Sequence, residues 1–377
     1  MMHICLVTPS FPPMVDGGVA IATGRLAAGL ARRGHQVTVL TSPPAESLAP
    51  SQIGMLPEAL AVFYHDVSDP LHDPHRLADL CGRLRRRHKR QPFDIVLAYF
   101  IYPSGYLAIR LGDVLGLPVV CSCRGNDISK DMFITPDILD AVLRQSTRLI
   151  FVSASLLDMA DTLVPCRHKA SVVANSVDGT QFSPVVDPAA SPSHPVVLGT
   201  SGLMRWKKGI NLLLPLILKL NATHDVRFHL AGYGLDEAID GLIASFLKQH
   251  QLRDRVAVLG PLPHGEMPQA LRQMDIYITT SYQEGMPNGV LEAMACALPV
   301  VATAADAIPE LVQDGVTGHL CRMGDLEALL TSCRNLIEQP LTRRRMGDAG
   351  RARALHRFHP ERELTAVEAH LQLALGA

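Results

Sequence analysis

Charge is scarce in this chain, and neither sign prevails. Charged residues are 19% of the 377, against ~25% in an average soluble domain. The 35 basic side chains and 36 acidic ones leave a formal net charge of −1. A global field that would draw the chain to nucleic acid is absent, since such domains are strongly basic or carry a dense basic stripe. The eight cysteines, Cys5, Cys81, Cys121, Cys123, Cys166, Cys296, Cys321 and Cys333, are scattered, with no Cys-x-x-Cys pair and no Cys/His set at zinc spacing. In a chain of this size that pattern suits buried thiols in a reducing cytoplasm. Long apolar runs are missing as well. The longest, near Leu212 to Leu220, contains Pro215 and Lys219 and falls short of the ~20 residues that a spanning helix requires. The opening stretch MMHICLVTPSFPP has no basic segment and is interrupted by Pro9, Pro12 and Pro13, so no signal peptide is expected. These absences together predict a soluble, cytoplasmic protein.

What the chain does have is length and apolar content. With 377 residues, 47% of them hydrophobic, it can form about two domains at roughly 150 residues each. Short runs rich in Val, Ile and Leu alternate with longer amphipathic stretches, the signature of parallel sheets covered by helices on both faces. HICLVTPS reads as a buried strand, DGG as a loop, and Val19 to Arg33 as a helix ended by Gly34. QVTVLT, FDIVLAYF, PVVCSC, RLIFVS and ASVVANS read as further strands. PVVDPAASPSHP, residues 184 to 195, is rich in proline and small polar residues and reads as a linker. The rhythm then restarts with VVLGTSG, RFHLAGYG, RVAVLGP, DIYITTS and LPVVATA. The expectation is an α/β protein of two doubly wound Rossmann-like domains, at 1–185 and 195–354. Ligands of such sheets bind beyond the carboxyl ends of the strands, which points to a cleft between the two domains.

The densest chemistry lies in DIYITTSYQEGMPNGVLEAMACALPVVATAADAIPELVQDGVTGHL, residues 275 to 320. A strand runs into the loop YQEGMP, and a helix is predicted to start near Pro287 or Asn288, with proline tolerated in a first turn. A helix start offers free N–H groups and a partial positive charge, which suit an anion such as a diphosphate. Glu284 precedes this helix and Glu292 lies on it. A carboxylate suits sugar hydroxyls better than a phosphate; taken singly, each also reads as an ordinary exposed charge. Upstream, SGLMRWKKGINLLL places Arg205, Lys207 and Lys208 before Gly209 at the end of a strand, where cations could neutralise a diphosphate leaving group.

With these residues in view, the segment from about Val196 to Leu320 resembles the nucleotide-sugar half of a retaining glycosyltransferase of family 4, within the glycosyl transferases group 1. The hallmark of that family, two glutamates separated by seven residues, is met by Glu284 and Glu292 in EGMPNGVLE. LAGYG, RVAVLG, DIYITTS, EAMACALPVVAT and DGVTGHL follow in matching order, and PPMVDGGV, RGND and NSVD extend the likeness through the first half. The resemblance implies the GT-B fold of two facing Rossmann-like domains, with a C-terminal helix, about 355–377, packed back on the first. It implies that Glu292 binds the ribose hydroxyls, that Lys208 and Arg205 hold the diphosphate, and that Glu284 meets the donor sugar with Gly285, Met286, Pro287, Asn288, Gly289 and Val290. Many members begin the basic segment with Gly-Arg, whereas this chain has Gly202-Leu203 and places Arg205 two positions later.

In the first half, Gly17 and Gly18 lie between a strand and a helix, where missing side chains allow close backbone approach. Their spacing is not Gly-x-Gly-x-x-Gly, and the second strand ends in Thr41-Ser42-Pro43 with no acid for a ribose, so a nicotinamide enzyme is not expected. The resemblance sets this loop against the donor phosphate and the acceptor. CSCRGNDISK carries Arg124, Asn126 and Asp127 after another strand. Arg124 stands where relatives often have a histidine. An arginine stays protonated and cannot serve as a base; it either pairs locally with Asp127 or Asp131 or meets an anionic group of the acceptor or donor. Tyr102, with Tyr99, Ser104 and Gly105, completes a candidate acceptor side. No Asp-x-Asp occurs in the chain, which argues against the metal-dependent GT-A type of transferase, and no metal or other cofactor is expected. RLRRRHKR, from Arg83 to Arg90, reads first as a solvated helix face. The alternative, peripheral contact with anionic lipid, gains weight if the acceptor is lipid-linked.

The expected activity is metal-independent, retaining transfer of a hexosyl group from a nucleotide diphosphate sugar to a glycan or lipid-linked acceptor. Two alternatives use the same donor half: a nucleotide-sugar epimerase, and a sugar-nucleotide-binding protein without turnover.

Overall fold

The computed structural model describes residues 1–12, 17–43, 59–68, 70, 73–130, 134–184, 195–232 and 237–376. The chain divides into two units, 1–175 with 361–377, and 176–360. Each is built on one parallel sheet.

In the first unit the strands are β1 (His3–Val7), β2 (Gln36–Thr41), β3 (Leu60–Tyr64), β4 (Ile95–Tyr99), β5 (Val119–Cys123), β6 (Arg148–Phe151) and β7 (Ala170–Val172). They lie in the order β3-β2-β1-β4-β5-β6-β7. β1, β4 and β5 are buried along their whole length, as strands covered on both faces must be. β3 was not among the expected strands. It is an edge strand with a half-exposed face, so its apolar pattern is diluted. The first helix spans Gly17–Arg32, so Gly17 and Gly18 belong to its first turn rather than to the expected loop. Pro13 to Asp16 lie outside the described residues. The helix Pro74–Arg90 takes its start from Asp73, whose carboxylate accepts the Arg76 N–H, and buries only Leu80 and Leu84. That narrow apolar stripe leaves most of the Arg83–Arg90 run facing water.

The last helix, Pro360–Leu375, belongs to this first unit and sends Leu364, Val367, Leu371 and Ala374 into its core beside Leu26, Ala27 and Leu30. Polar contacts flank the seam: Arg33 reaches Glu361 at 2.6 Å and Glu368 at 2.8 Å, and Arg25 reaches Glu363 at 3.1 Å.

The second unit comprises β8 (Val196–Ser201), β9 (Val226–Ala231), β10 (Val256–Val258), β11 (Ile276–Thr279), β12 (Val300–Thr303) and β13 (Gly318–Cys321), in the order β10-β9-β8-β11-β12-β13. Its core joins Leu198, Phe228, Leu230, Ile276 and Ile278 of the sheet to Leu213, Ile217, Leu329 and Leu336 of the flanking helices. β13 is the strand missed here, again at an edge. Of the expected linker at 184–195, residues 185–194 lie outside the described residues. Among the described residues no helix is long and apolar enough to cross a membrane.

Candidate functional site

The strand order of the second unit reverses at β8, whose neighbours are β9 and β11. Ligands of doubly wound sheets sit beyond the carboxyl ends of the strands at such a reversal. β8 leads into residues 202–209 and β11 into residues 280–284, so both loops emerge there. They are tied together closely. The Thr280 hydroxyl donates to the carbonyls of Lys208 and Gly209 at 2.9 and 3.0 Å, and the Tyr282 N–H donates to the Lys207 carbonyl at 2.7 Å. The approach is possible because residue 209 is glycine: its φ is +71°, and a Cβ there would lie 1.9 Å from the Thr280 carbonyl oxygen.

This stitching delivers Lys208 Nζ to Glu284 Oε1 at 2.5 Å. Glu284 is buried, and the same oxygen accepts the Ser281 hydroxyl at 2.7 Å, with Thr279 Oγ1 3.0 Å from Ser281 Oγ. A carboxylate out of water is tolerated only when paired and hydrogen-bonded, and Glu284 is both. Arg205 begins the short helical turn Trp206–Lys208, and its Nε is buried without a hydrogen-bond partner. Lys207 is half-buried; removal from water lowers its pKa, while Glu284 pulls it back upward. Asp306, in the loop after β12, accepts the Glu284 N–H at 2.8 Å. Burial raises its pKa, that hydrogen bond lowers it, and the nearby Glu284 charge raises it further. Three cations, Arg205, Lys207 and Lys208, thus share one place with two carboxylates.

The helix after Glu284 spans Asn288–Ala295 with Pro287 as its cap, so the proline stands one position ahead of the helix. Met286 and Val290 are buried, which leaves their backbones, not their side chains, as the groups a ligand could meet. Gly289 packs where a Cβ would be 2.5 Å from the Tyr277 hydroxyl. That hydroxyl is 2.9 Å from Ser201 Oγ, and burial pushes its pKa up to about 12. Glu292 Oε1 lies 3.2 Å from His264 Nε2, and the His264 ring packs 5.3 Å from that of Phe182. His264 and Asp306 were not anticipated. Neither has a motif of its own, and only the folded sheet brings each to its glutamate. An apolar groove of about 490 Å³ between the helix Glu237–Gln249 and β10 shares no residue with this cluster.

The first unit places its expected residues differently. Asp127 is fully buried and accepts backbone N–H groups from Arg124, Gly125 and Ile101. It therefore shapes its loop, and it meets Arg124 through that residue's backbone N–H. Asp131 lies outside the described residues. The Arg124 guanidinium stacks 4.3 Å over the Tyr99 ring, donates to Ser122 Oγ at 3.2 Å and pairs with Asn175 Oδ1. Asn126 opens the four-residue helix Asn126–Ser129, and Tyr102 sits half-buried in the turn Ile101–Gly105. Among the described residues no three His, Cys, Asp or Glu side chains are grouped to hold a metal ion.

The profile "Glycosyltransferase Family 4" matches residues 16–181, and the profile "Glycosyl transferases group 1" matches residues 194–339. The N-acetyl-α-D-glucosaminyl L-malate synthase of Bacillus anthracis is 24% identical over 374 residues, 94% of this chain and 93% of that protein. A glycogen synthase of Mycobacterium tuberculosis is 25% identical over 393 residues, covering 97% and 93%. Among solved structures, sucrose-phosphate synthase from Thermosynechococcus elongatus matches with a TM-score of 0.84 at 19% identity, covering 100% of each chain. HepE of Anabaena, solved with UDP and glucose, gives 0.81 at 19% identity, covering 99% of this chain and 100% of that one. At such identities the structural likeness speaks for the fold, which is GT-B.

Proposed function

The chain belongs to the family 4 glycosyltransferases of group 1, and from that premise we propose that it moves a hexosyl group from a nucleotide diphosphate sugar to a glycan or lipid-linked acceptor with retention of anomeric configuration. The observation that carries the reading is the pairing of buried Glu284 with the half-buried Lys208 at the strand reversal, next to an Arg205 guanidinium whose Nε has no hydrogen-bond partner. A buried donor without an acceptor is costly unless a ligand completes it, and a diphosphate supplies the acceptors. A structural neighbour, HepE, solved with UDP and glucose, supports a nucleotide-sugar donor.

In this reading Lys208, Arg205 and the amides at the start of helix Asn288–Ala295 stabilise the departing diphosphate electrostatically, without a metal or other cofactor. Glu284 and the backbone of residues 285–288 receive the sugar, and Glu292 accepts hydrogen bonds from the ribose hydroxyls. The bond from the anomeric carbon to the phosphate oxygen breaks. The acceptor oxygen bonds to that carbon on the same face, and its proton passes to the leaving phosphate oxygen. Arg124, Tyr102 and Asn126 of the first unit are the candidate residues for the acceptor, with Arg124 a fixed cation. The basic face of helix Pro74–Arg90 fits an anionic lipid surface if the acceptor is lipid-linked.

Incubation with radiolabelled UDP-, GDP- and ADP-sugars and an added glycan or lipid acceptor tests the reading. Transfer with the donor's anomeric configuration kept in the product is the expected outcome. Isomerised free sugar, or binding without turnover, would overturn it. Glu292→Ala is expected to weaken nucleotide binding roughly 10- to 100-fold, the loss of charge-assisted hydrogen bonds of about 1.5–3 kcal/mol. Calorimetric titration with the nucleoside diphosphate checks this, and unchanged affinity would remove Glu292 from the site.

A further inference from the structure

Three observations meet on Asp306. It follows β12, whose parallel pairing with β11 sets Thr279 beside Ala302, so the loops after the two strands run next to each other, and its Oδ2 accepts the Glu284 N–H. Its backbone is left-handed, at φ +40°, a conformation in which glycine sits most easily and which aspartate tolerates better than most side chains. Its carboxylate also stands close to the buried carboxylate of Glu284, a like-charge placement, with Lys207 within electrostatic reach of both.

Pinning the loop does not by itself require a charge, since a side-chain amide or a backbone carbonyl would accept the same N–H. A negative group is the wrong sign for a diphosphate, whereas it is a strong acceptor for hydroxyl groups. We propose that Asp306 is a specificity-determining residue of the donor-sugar subsite: one carboxylate oxygen fixes the Glu284 amide, and the other accepts a hydrogen bond from a hydroxyl of the sugar received by residues 284–288. The inference rests on the nucleotide-sugar reading above and goes beyond it by naming the side chain that reads the sugar.

Calorimetric titration of the full chain with UDP, GDP and ADP, and with UDP-glucose, GDP-mannose and ADP-glucose, first identifies the nucleotide that binds. Asp306→Gly suits the left-handed backbone and so should fold. It is expected to bind that nucleoside diphosphate within about twofold of the unaltered protein, and the matching nucleotide sugar about tenfold more weakly or worse. Asp306→Asn, which keeps an acceptor, should recover part of the loss. Equal weakening for both ligands would mean a loop pin only, and unchanged sugar binding would mean no role; either result overturns the proposal while the nucleotide-sugar reading stands. If the unaltered protein binds none of the six ligands, that reading falls and the proposal falls with it.

Discussion

Lys208→Ala is expected to lower glycosyl transfer by about 10²–10³-fold, the usual effect of removing one preorganised group that stabilises charge developing on a leaving group. Two consequences of the substitution must be separated. Lys208 is the cation that compensates buried Glu284. Its loss leaves that carboxylate with the Ser281 hydroxyl and without its ion-pair partner, and breaking a buried pair from one side is costly. The Lys208 side chain is 29% exposed, so water recovers part of that cost and the loss of stability should be smaller than for a fully enclosed pair. The double substitution Lys208→Ala with Glu284→Gln distinguishes the two effects. It removes the stranded charge, so the urea midpoint should return toward that of the unaltered protein while transfer stays low. Steady-state kinetics under conditions where every variant is fully folded provide the check. A Lys208→Ala enzyme with an unchanged kcat/KM would remove Lys208 from the transition state.

That test concerns residues that could be read from the chain alone, and the reason is local. Lys208 stands directly before a turn glycine, and Glu284 stands four residues before the helix Asn288–Ala295, so each is tied to an element that periodicity already reveals. β2 was legible from Gln36 to Thr41 because five of its six residues are buried and apolar or β-branched. Edge strands β3 and β13 were not, since a half-exposed strand mixes polar and apolar residues. The burial of Asp127 was not legible for a related reason. A carboxylate in a loop normally faces water, and nothing in RGND announces that this one turns inward to collect backbone N–H groups. His264 and Asp306 were invisible because they depend on which strands lie side by side. Glu284 meets Asp306 through the pairing of β11 with β12, and Glu292 meets His264 at a sequence separation of 28.

The same stitching makes Gly209→Ala the substitution with the largest expected effect on the folded state. Two costs combine. A side chain at φ +71° carries the left-handed penalty of roughly 1–2 kcal/mol. In addition, the new Cβ would fall 1.9 Å from the Thr280 carbonyl oxygen, and because that neighbour is backbone, no rotamer change relieves the overlap. The loops after β8 and β11 must therefore separate. Separation would stretch the hydrogen bonds from Thr280 to Lys208 and Gly209 and from Tyr282 to Lys207. Total destabilisation of roughly 3–4 kcal/mol is expected, at the upper end for one residue. Gly34→Ala is the control: its φ is +88°, but a Cβ there meets nothing within 4 Å, so it reports the conformational penalty alone. Denaturant melts of the two variants should differ by about 2 kcal/mol, the cost of forcing the loops apart. Gly209→Ala should lose transfer even when folded, because Lys208 no longer reaches Glu284, whereas Gly34→Ala should keep it. Equal melts would mean that the loops after β8 and β11 yield freely, and the tight stitching proposed to set the site would then lose its energetic basis.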